Sequence, residues 1–426
     1  MPHHDVAIVG AGPVGLLLAC LLAQEGIDVV VYENRTGADD RSRAIGIHPP
    51  GLAALDAVNL GAQVREEALE LEGGEVLCGG RTLASIAFSA KQRVLILPQR
   101  RTHALLVERI GQLPSATLCT GHEVRELRNE GDLLCLAVHT DSAHRADTAS
   151  FVIAADGVRS GIRSQLGIGW RQQSGRGSYA MVDIPDAQNF PRAQLYCEPA
   201  GLVESFPLPL GGRRWVAADP ERALGDAEAF ARVIWERTGI RIDMPAGLQP
   251  TAFQARQHRA ARTVGGRVVL LGDAAHETSP IGGQGMNLGW AAALHLAVVL
   301  EQSLRDDLPD FRAYERVTRR AAVRAQRRSS FYMAMGHPAE GFGLEPPQHG
   351  DQSARDSAAS SAHGEHDHHA GRDPADTVLE RRLIGGHHCA LGRRAVYASV
   401  EGRRTISAPG SVRTRTLSVP MRSPSA

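Results

Sequence analysis

The feature that most constrains this chain is a glycine turn set between a strand and a helix near its start. Asp5-Val6-Ala7-Ile8-Val9 is a β-rich apolar run, Gly10-Ala11-Gly12-Pro13-Val14-Gly15 follows at once, and an apolar helical stretch continues to about Gln24. After Glu25-Gly26-Ile27-Asp28 a second strand, Val29-Val30-Val31-Tyr32, ends at Glu33, eighteen positions beyond Gly15. This is a βαβ unit, and it commits the chain to an α/β fold containing a parallel sheet. Gly10 permits the tight turn, Gly12 lets the backbone approach a pyrophosphate, and Gly15 lets the helix pack on the strand. The helix N-terminus then offers N–H groups and partial positive charge to phosphates. Glu33 stands where an acid accepts hydrogen bonds from a ribose. A glycine turn in some other α/β protein, with Glu33 merely solvated, is the alternative, and this unit alone does not separate FAD from NAD.

Composition narrows the partners. The 426 residues suffice for a large core and one to three domains. Lys plus Arg and Asp plus Glu each total 47, so no global field recruits nucleic acid or an anionic membrane, and a small-molecule partner is expected. Lys91 is the only lysine, which fits a gene rich in G and C and carries no functional meaning. Six cysteines (Cys20, Cys78, Cys119, Cys135, Cys197, Cys389) form no CxxC pair, so neither a zinc knuckle nor a disulfide framework is expected. The longest apolar stretches, Leu16 to Leu22 and Ala291 to Leu300, fall short of the roughly 20 residues that span a bilayer, and the N-terminus has no basic leader. The expectation is a cytoplasmic protein, with its oligomeric state open.

Two later segments repeat the strand-to-glycine design. Val152-Ile153-Ala154-Ala155-Asp156-Gly157-Val158-Arg159-Ser160-Gly161-Ile162-Arg163 reads as a strand, a turn and a helix start, with Asp156 and Ser160 as candidate caps. Val268-Val269-Leu270-Leu271-Gly272-Asp273 is another buried strand ending in an acid on a glycine. It is followed by Pro280, Ile281, Gly282, Gly283, Gln284, Gly285, Met286 and Asn287, and then by a long apolar helix from near Gly285 to near Leu304. Again a glycine nest feeds a helix N-terminus.

With these three segments in this order, the sequence resembles the class A flavoprotein monooxygenases, the single-component aromatic hydroxylases related to p-hydroxybenzoate hydroxylase, over about residues 1 to 335. The resemblance implies a Rossmann-like FAD-binding domain made discontinuously of residues 1–70, 92–172 and 262–340. Into it, residues 71–91 and 173–261 insert an antiparallel β-sheet substrate domain. It also implies that Gly10, Gly12, Gly15 and Glu33 hold the ADP half of FAD, that Asp273, beside Gly272, hydrogen-bonds the ribityl chain, and that Pro280, Gly282, Gly283, Gly285, Met286 and Asn287 lie against the isoalloxazine. That last placement makes chemical sense, since reduced flavin is an anion and a helix N-terminus favours negative charge. By the same resemblance Arg43, with Arg41 as an alternative, contacts the flavin side, and Gln99 touches the adenosine part. Asp156, Gly157 and Arg163 help position FAD and a passing nicotinamide. Arg43 and Pro280 are the candidates nearest the reacting edge, but no substrate general base singles itself out. Where relatives often carry Leu and Glu after the glutamine this chain has Thr102 and His103, and where they commonly carry an acid after the third helix start it has Ala292. His276 reads as a structural hydrogen-bonding residue rather than a catalytic one.

The implied reaction has NADH or NADPH, a transient visitor, reduce FAD; reduced flavin adds O2 at C4a, and the hydroperoxide passes one oxygen to an electron-rich ring of an aromatic or polyketide-type substrate. Strand-like patches Gly201 to Pro209 and Arg214 to Ala217 belong to the roof over that substrate. There Phe206, Trp215 and Tyr196 either line an aromatic site or fill the sheet's own core, the second being favoured. A halogenase needs a WxWxIP element, whereas Trp170, Trp215, Trp235 and Trp290 are far apart. A reductase or dehydrogenase of the same fold and an inactive flavin-fold remnant are the rival readings. The remnant has a motive: beyond about Gly341 the sequence changes character. His363, His366, His368 and His369 cluster among Ser, Ala and Asp, and seven arginines and one acid follow Leu391. Residues 341–426 read as an irregular, low-complexity tail, disordered or produced by a frameshift.

Overall fold

The structure, a computed structural model, describes residues 1–37, 44–89, 92–186, 190–306 and 309–335. Arg41, Arg43 and the 341–426 segment lie outside the described residues.

Five parallel strands form the centre: β1 (His3–Val9), β2 (Val29–Glu33), β3 (Ala116–Thr120), β4 (His144–Ala154) and β5 (Val268–Leu270), in the spatial order β3-β2-β1-β4-β5. Every residue of β2 is buried, as a continuous apolar run in a sheet covered on both faces should be. One face carries α1 (Pro13–Ala23), α2 (Pro49–Ala57), α3 (Gln99–Gly111) and α4 (Gly285–Asp306). In α1 every residue from Gly15 to Ala23 is buried, which explains why its sequence is apolar all round instead of amphipathic. The β-position of Gly289 in α4 lies 2.5 Å from Val14, so that only glycine lets α4 cross α1 this closely. Ala292 is buried in the same core, where an acid would lose its hydration. The other face is covered by the hairpin of Glu123–Asn129 with Leu134–His139 and by Ile162, Ile168 and Trp170.

A second sheet has seven strands in the order Thr251–Ala255, Gly177–Pro185, Gly212–Ala218, Gly201–Leu208, Arg192–Glu198, Gly73–Cys78 and Arg81–Ala87. All neighbours are antiparallel except Arg192–Glu198 with Gly73–Cys78. Helix Ala227–Thr238, capped by Asp226 at its start and by Gly239 with φ +73° at its end, covers the outer face with Phe230 and Ile234. Trp215 and Tyr196 belong to this outer core, which bears out the packing reading of those two aromatics. Phe206 alternates to the opposite face with Leu202 and Glu204. That inner face packs against Ile281 and, through Tyr332 and Met333, against α5 (Arg312–Met335).

Candidate active site

The three glycine corners meet. Register pairs Val9 with Ala154 and Ala154 with Leu270, so the chain leaves three adjacent parallel strands at one edge of the sheet, and Val9 is also paired with Tyr32, next to Glu33. The corners are bonded as well as adjacent: Ala155 N–H donates to the Val9 carbonyl at 2.8 Å and Leu271 N–H to the Ala154 carbonyl at 2.9 Å. Gly10 takes φ +107°, and a β-carbon there would collide with the Ala155 carbonyl group. A β-carbon on Gly15 would overlap the Gly10 carbonyl oxygen and stand 3.2 Å from Ala155 Cβ. Gly12 is different, since nothing lies within 4 Å of its β-position and no side chain caps the helix it opens.

Glu33 is buried against this corner. Its Oε2 accepts from Ala11 N–H at 2.9 Å, and its Oε1 accepts from both Arg35 N–H at 3.0 Å and Arg35 Nε at 2.8 Å. Burial pushes the carboxyl's pKa up, but the hydrogen bonds from Arg35 and Ala11 together leave it below the usual value. Thus Glu33 fastens the glycine turn. Gln99 opens α3, its N–H bonded to the Ala44 carbonyl at 3.0 Å. One turn on, the His103 ring nitrogen Nε2 lies 3.0 Å from the Ala11 carbonyl, so the departure from the family pattern at His103 supplies a tie to the first corner that sequence reasoning missed.

At the second corner Ser160 is the helix cap, accepting from Arg163 N–H at 3.0 Å, while Asp156 Oδ2 accepts a longer bond from Ile162 N–H at 3.3 Å. Asp156 Oδ1 is buried without a partner, and burial raises the carboxyl's pKa despite bonds from Ser160 and neighbouring N–H groups. The β-position of Gly157 is open. Arg163 points inward. Its guanidinium donates to the Val158 carbonyl at 2.8 Å and to the Ala274 carbonyl at 3.0 Å, and its central carbon lies 3.8 Å from the centre of the Trp170 ring. The structure thus gives this arginine a bridging role between the second and third corners.

At the third corner Asp273 is exposed at the end of β5 and Pro280 is exposed beyond it. Gly282, Gly283, Gly285 and Met286 are half-buried, with open space at the β-position of Gly285. Asn287 is buried and fully engaged: its Nδ2 donates to the Gly46 carbonyl at 3.0 Å and the Gly283 carbonyl at 3.1 Å, and its Oδ1 accepts from His48 N–H at 2.9 Å. Its side chain therefore clamps the glycine loop to the segment that follows residue 43. His276, read as a satisfied hydrogen bonder, is buried but leaves Nδ1 without a partner, and burial pushes its pKa down to about 4.

Sequence reasoning singled out no general base; the structure buries an acid, Glu204, on the inner face of the second sheet. It sits in strand Gly201–Leu208 opposite Leu195 and Val216, 3% exposed, on the face that meets the Gly282 loop. The available signal was a charged residue inside the otherwise apolar run Leu202-Val203-Glu204-Ser205-Phe206. A surface recess of about 470 Å³ bordered by Asn129, Arg267, Phe311 and Arg312 lies at the opposite end of β5, away from all three corners.

The open β-positions of Gly12, Gly157 and Gly285, the uncapped start of α1 and the orphaned Asp156 Oδ1 fit a dinucleotide laid across the strand ends. Among the described residues no helix is long and apolar enough to cross a membrane, and no cluster of three or more His, Cys, Asp or Glu could hold a metal ion.

Comparison with known proteins agrees. Residues 3–329 match the family described as FAD binding domain. The chain is 30% identical over 329 residues to a 12-dehydrotetracycline 5-monooxygenase/anhydrotetracycline 6-monooxygenase of Streptomyces rimosus, covering 72% of this chain and 64% of that protein. It is 28% identical over 312 residues to a para-nitrophenol 4-monooxygenase of a Pseudomonas species, covering 69% and 77%. The crystal structure of p-nitrophenol 4-monooxygenase PnpA from Pseudomonas putida superposes with a TM-score of 0.68 at 25% identity over 80% of this chain and 91% of that one. The OxyS anhydrotetracycline hydroxylase from Streptomyces rimosus gives 0.65 at 28% identity over 78% and 69%. The chain spans only 64% of the tetracycline relative and 54% of a 3-(3-hydroxy-phenyl)propionate/3-hydroxycinnamic acid hydroxylase of Burkholderia vietnamiensis. With its match running through all three glycine corners, the chain belongs to the FAD binding domain family, that of the class A flavoprotein monooxygenases its motifs resemble.

Proposed function

We propose that the protein is an FAD-dependent monooxygenase that uses NAD(P)H and O2 to hydroxylate an aromatic or polyketide-type small molecule. The observation that carries this reading is the meeting of three glycine corners at the ends of adjacent strands, with an antiparallel sheet facing the third. In it, residues 1–70, 92–172 and 262–340 hold the cofactor and residues 71–91 and 173–261 roof the substrate. Gly10, Gly12 and Gly15 take the pyrophosphate on the α1 N-terminus, Glu33 the adenosine ribose, and Gln99 the adenosine side. Asp156 and Asp273 hold the central chain of the dinucleotide, and Arg43 with the loop from Pro280 to Asn287 borders the ring. Bound FAD supplies the electron transfer from NAD(P)H and the activation of O2. The protein's own work is to orient the acceptor ring against that loop and to keep water out, for which the apolar inner face formed by Leu202, Val216, Ile281 and Tyr332 is suited. The names of the relatives, monooxygenases of para-nitrophenol and of anhydrotetracycline, support a hydroxylated aromatic acceptor.

The full chain, purified and mixed with FAD, is expected to retain a flavin absorbance band. It should also oxidise NAD(P)H faster in the presence of one member of a panel of phenols and polycyclic polyketides. Isotopically labelled O2 should leave one labelled oxygen in the product. NAD(P)H oxidation with no label in any product would make the protein a reductase or dehydrogenase instead, and a colourless protein that takes up no FAD would make it an inactive remnant.

A further inference from the structure

Glu204 is an unusual residue for its position. Its strand alternates between the outer core, through Val203 and Ser205, and the inner face, through Leu202, Glu204 and Phe206. On that inner face the neighbours of Glu204 are Val216 and Leu195 across the ladder and the Gly282 loop beyond. Among the described residues no arginine or lysine pairs with it, and Arg214, on the next strand, is committed to Asp183 through two bonds of 2.7 and 2.8 Å. The one group that favours its charged form is the Gly282 backbone N–H, and its Oε1 is buried with no hydrogen-bond partner among the described residues. An unpartnered buried carboxyl oxygen has lost its hydration and gained nothing in return. A core position filled for packing alone would carry Leu or Met, as Leu202 and Met181 do nearby.

We propose that Glu204 is the substrate-facing acid–base group: its free Oε1 hydrogen-bonds the hydroxyl of a phenolic or enolic acceptor brought up beside the contact of the sheet's inner face with the Pro280–Gly285 loop, and takes that proton as the ring accepts oxygen. This rests on the monooxygenase reading above. In the step the substrate O–H bond breaks, its electron pair stays on the substrate oxygen, and a new O–H bond forms at Oε1. The carboxylate becomes a carboxylic acid, nothing is oxidised or reduced, and the proton returns when the product hydroxyl is restored. An ionised phenol oxygen raises electron density on the ring, which is what electrophilic oxygen transfer needs.

Burial pushes the Glu204 carboxyl up to about 8, so it is mostly protonated at neutral pH and becomes a base as pH rises through that value. Around it stand Tyr179, two strands away, and Cys197 on the adjacent strand, the first pushed far above its usual range by burial and the second pushed up to about 12. The Arg214–Asp183 pair lies on the same face, and α5 presents Tyr332 and Arg328, the latter bonded to the Gln284 amide oxygen. The Gly282 loop contributes no titratable side chain between Pro280 and Gly285.

The test uses FAD-loaded full-length protein with a set of phenols and their methyl ethers, read by perturbation of the flavin spectrum and by kcat/KM on both sides of pH 8. The wild type is expected to prefer at least one phenol to its ether by about tenfold or more in Kd, and its kcat/KM should climb to a plateau above pH 8. Glu204→Gln, which keeps the volume and an acceptor for Gly282, should retain FAD, lose the preference and flatten the pH profile. Glu204→Asp should restore part of both. Wild-type holoprotein that binds phenol and ether alike, or binds no phenol, overturns the proposal, as does Glu204→Gln with an unchanged preference and pH profile. If that variant does not fold, the wild-type comparison decides alone. A chain that takes up no FAD overturns the flavin reading and this proposal with it, whereas one that takes up FAD and treats phenol and ether alike overturns only this one.

Discussion

Gly10 lies against the main chain of Ala155: a β-carbon on Gly10 would stand 2.7 Å from the Ala155 carbonyl carbon and closer still to its oxygen. This contact joins the first corner to the second, while Gly12, two residues further on, faces open space. The two glycines therefore separate fold from ligand. Gly10→Ala combines a collision with a left-handed φ and is expected to cost about 3 kcal/mol or more and to abolish FAD retention. Gly12→Ala, at φ −68°, should cost under about 1 kcal/mol, the loss of glycine at a helix cap, yet also prevent FAD retention by blocking the pyrophosphate. Urea denaturation and flavin absorbance read the two effects separately. A Gly12→Ala protein that holds FAD as the wild type does would remove the pyrophosphate from this turn.

Asn287 makes the sharpest case for the third corner. Its amide is oriented by its partners: two carbonyls, of Gly46 and Gly283, receive its N–H groups, and its oxygen receives the His48 N–H. Asn287→Ala removes the side-chain partner of three part-buried main-chain groups and is expected to destabilise the apoprotein by about 2–4 kcal/mol. Asn287→Asp should be worse, because a carboxylate oxygen would then face two carbonyl oxygens. Chemical denaturation of the two variants side by side checks the order; equal losses would mean that the amide's orientation contributes little.

How far the sequence announces this depends on the range of the interaction. Each glycine corner is a local pattern of strand, turn and helix, and the fold class, the parallel strands and the caps are legible because their causes lie within about twenty residues of one another. The inner and outer faces of the second sheet were only half legible. Alternation separates Glu204 and Phe206 from Trp215 and Tyr196, but which side meets the glycine loop depends on packing of Ile281 and Tyr332, far away in sequence. The Arg163 bridge to Ala274 and the His103 contact with Ala11 span 111 and 92 residues, and no local pattern encodes them.

His276 predicts how stability responds to acid. Burial, helped by the positive charge of Arg259 and opposed by a bond from its own backbone, lowers its pKa from 6.5 to about 4. The unfolded chain takes up the proton first. Stability is therefore complete above pH 6.5, declines as pH falls towards 4 and levels off below that, by up to roughly 3 kcal/mol. Glu33 adds a separate loss at lower pH: its pKa lies below 4.5, so its contribution is present above that value and disappears as acid protonates it. In His276→Gln the decline between 6.5 and 4.5 should vanish while the more acid loss remains. Denaturation free energies measured through this range test it, and an unchanged decline in the variant would assign it to another group.

Two corners depend on the one side chain of Arg163. A planar guanidinium donates to Val158 and Ala274 in different directions while its face rests on Trp170, and a lysine ammonium has neither the fork nor the face to do all three. Arg163→Lys keeps the charge and is nonetheless expected to lose about 2 kcal/mol and to weaken FAD retention by about tenfold, since Ala274 adjoins Asp273 and Val158 adjoins Gly157. Trp170 stacks on His258, itself bonded to Glu277 at 2.6 Å, so freeing the arginine should also alter tryptophan fluorescence. Stability, fluorescence and FAD affinity should move together. A variant that loses stability but keeps full FAD affinity would show that the second and third corners hold their positions without this bridge, and that Arg163 serves the core alone.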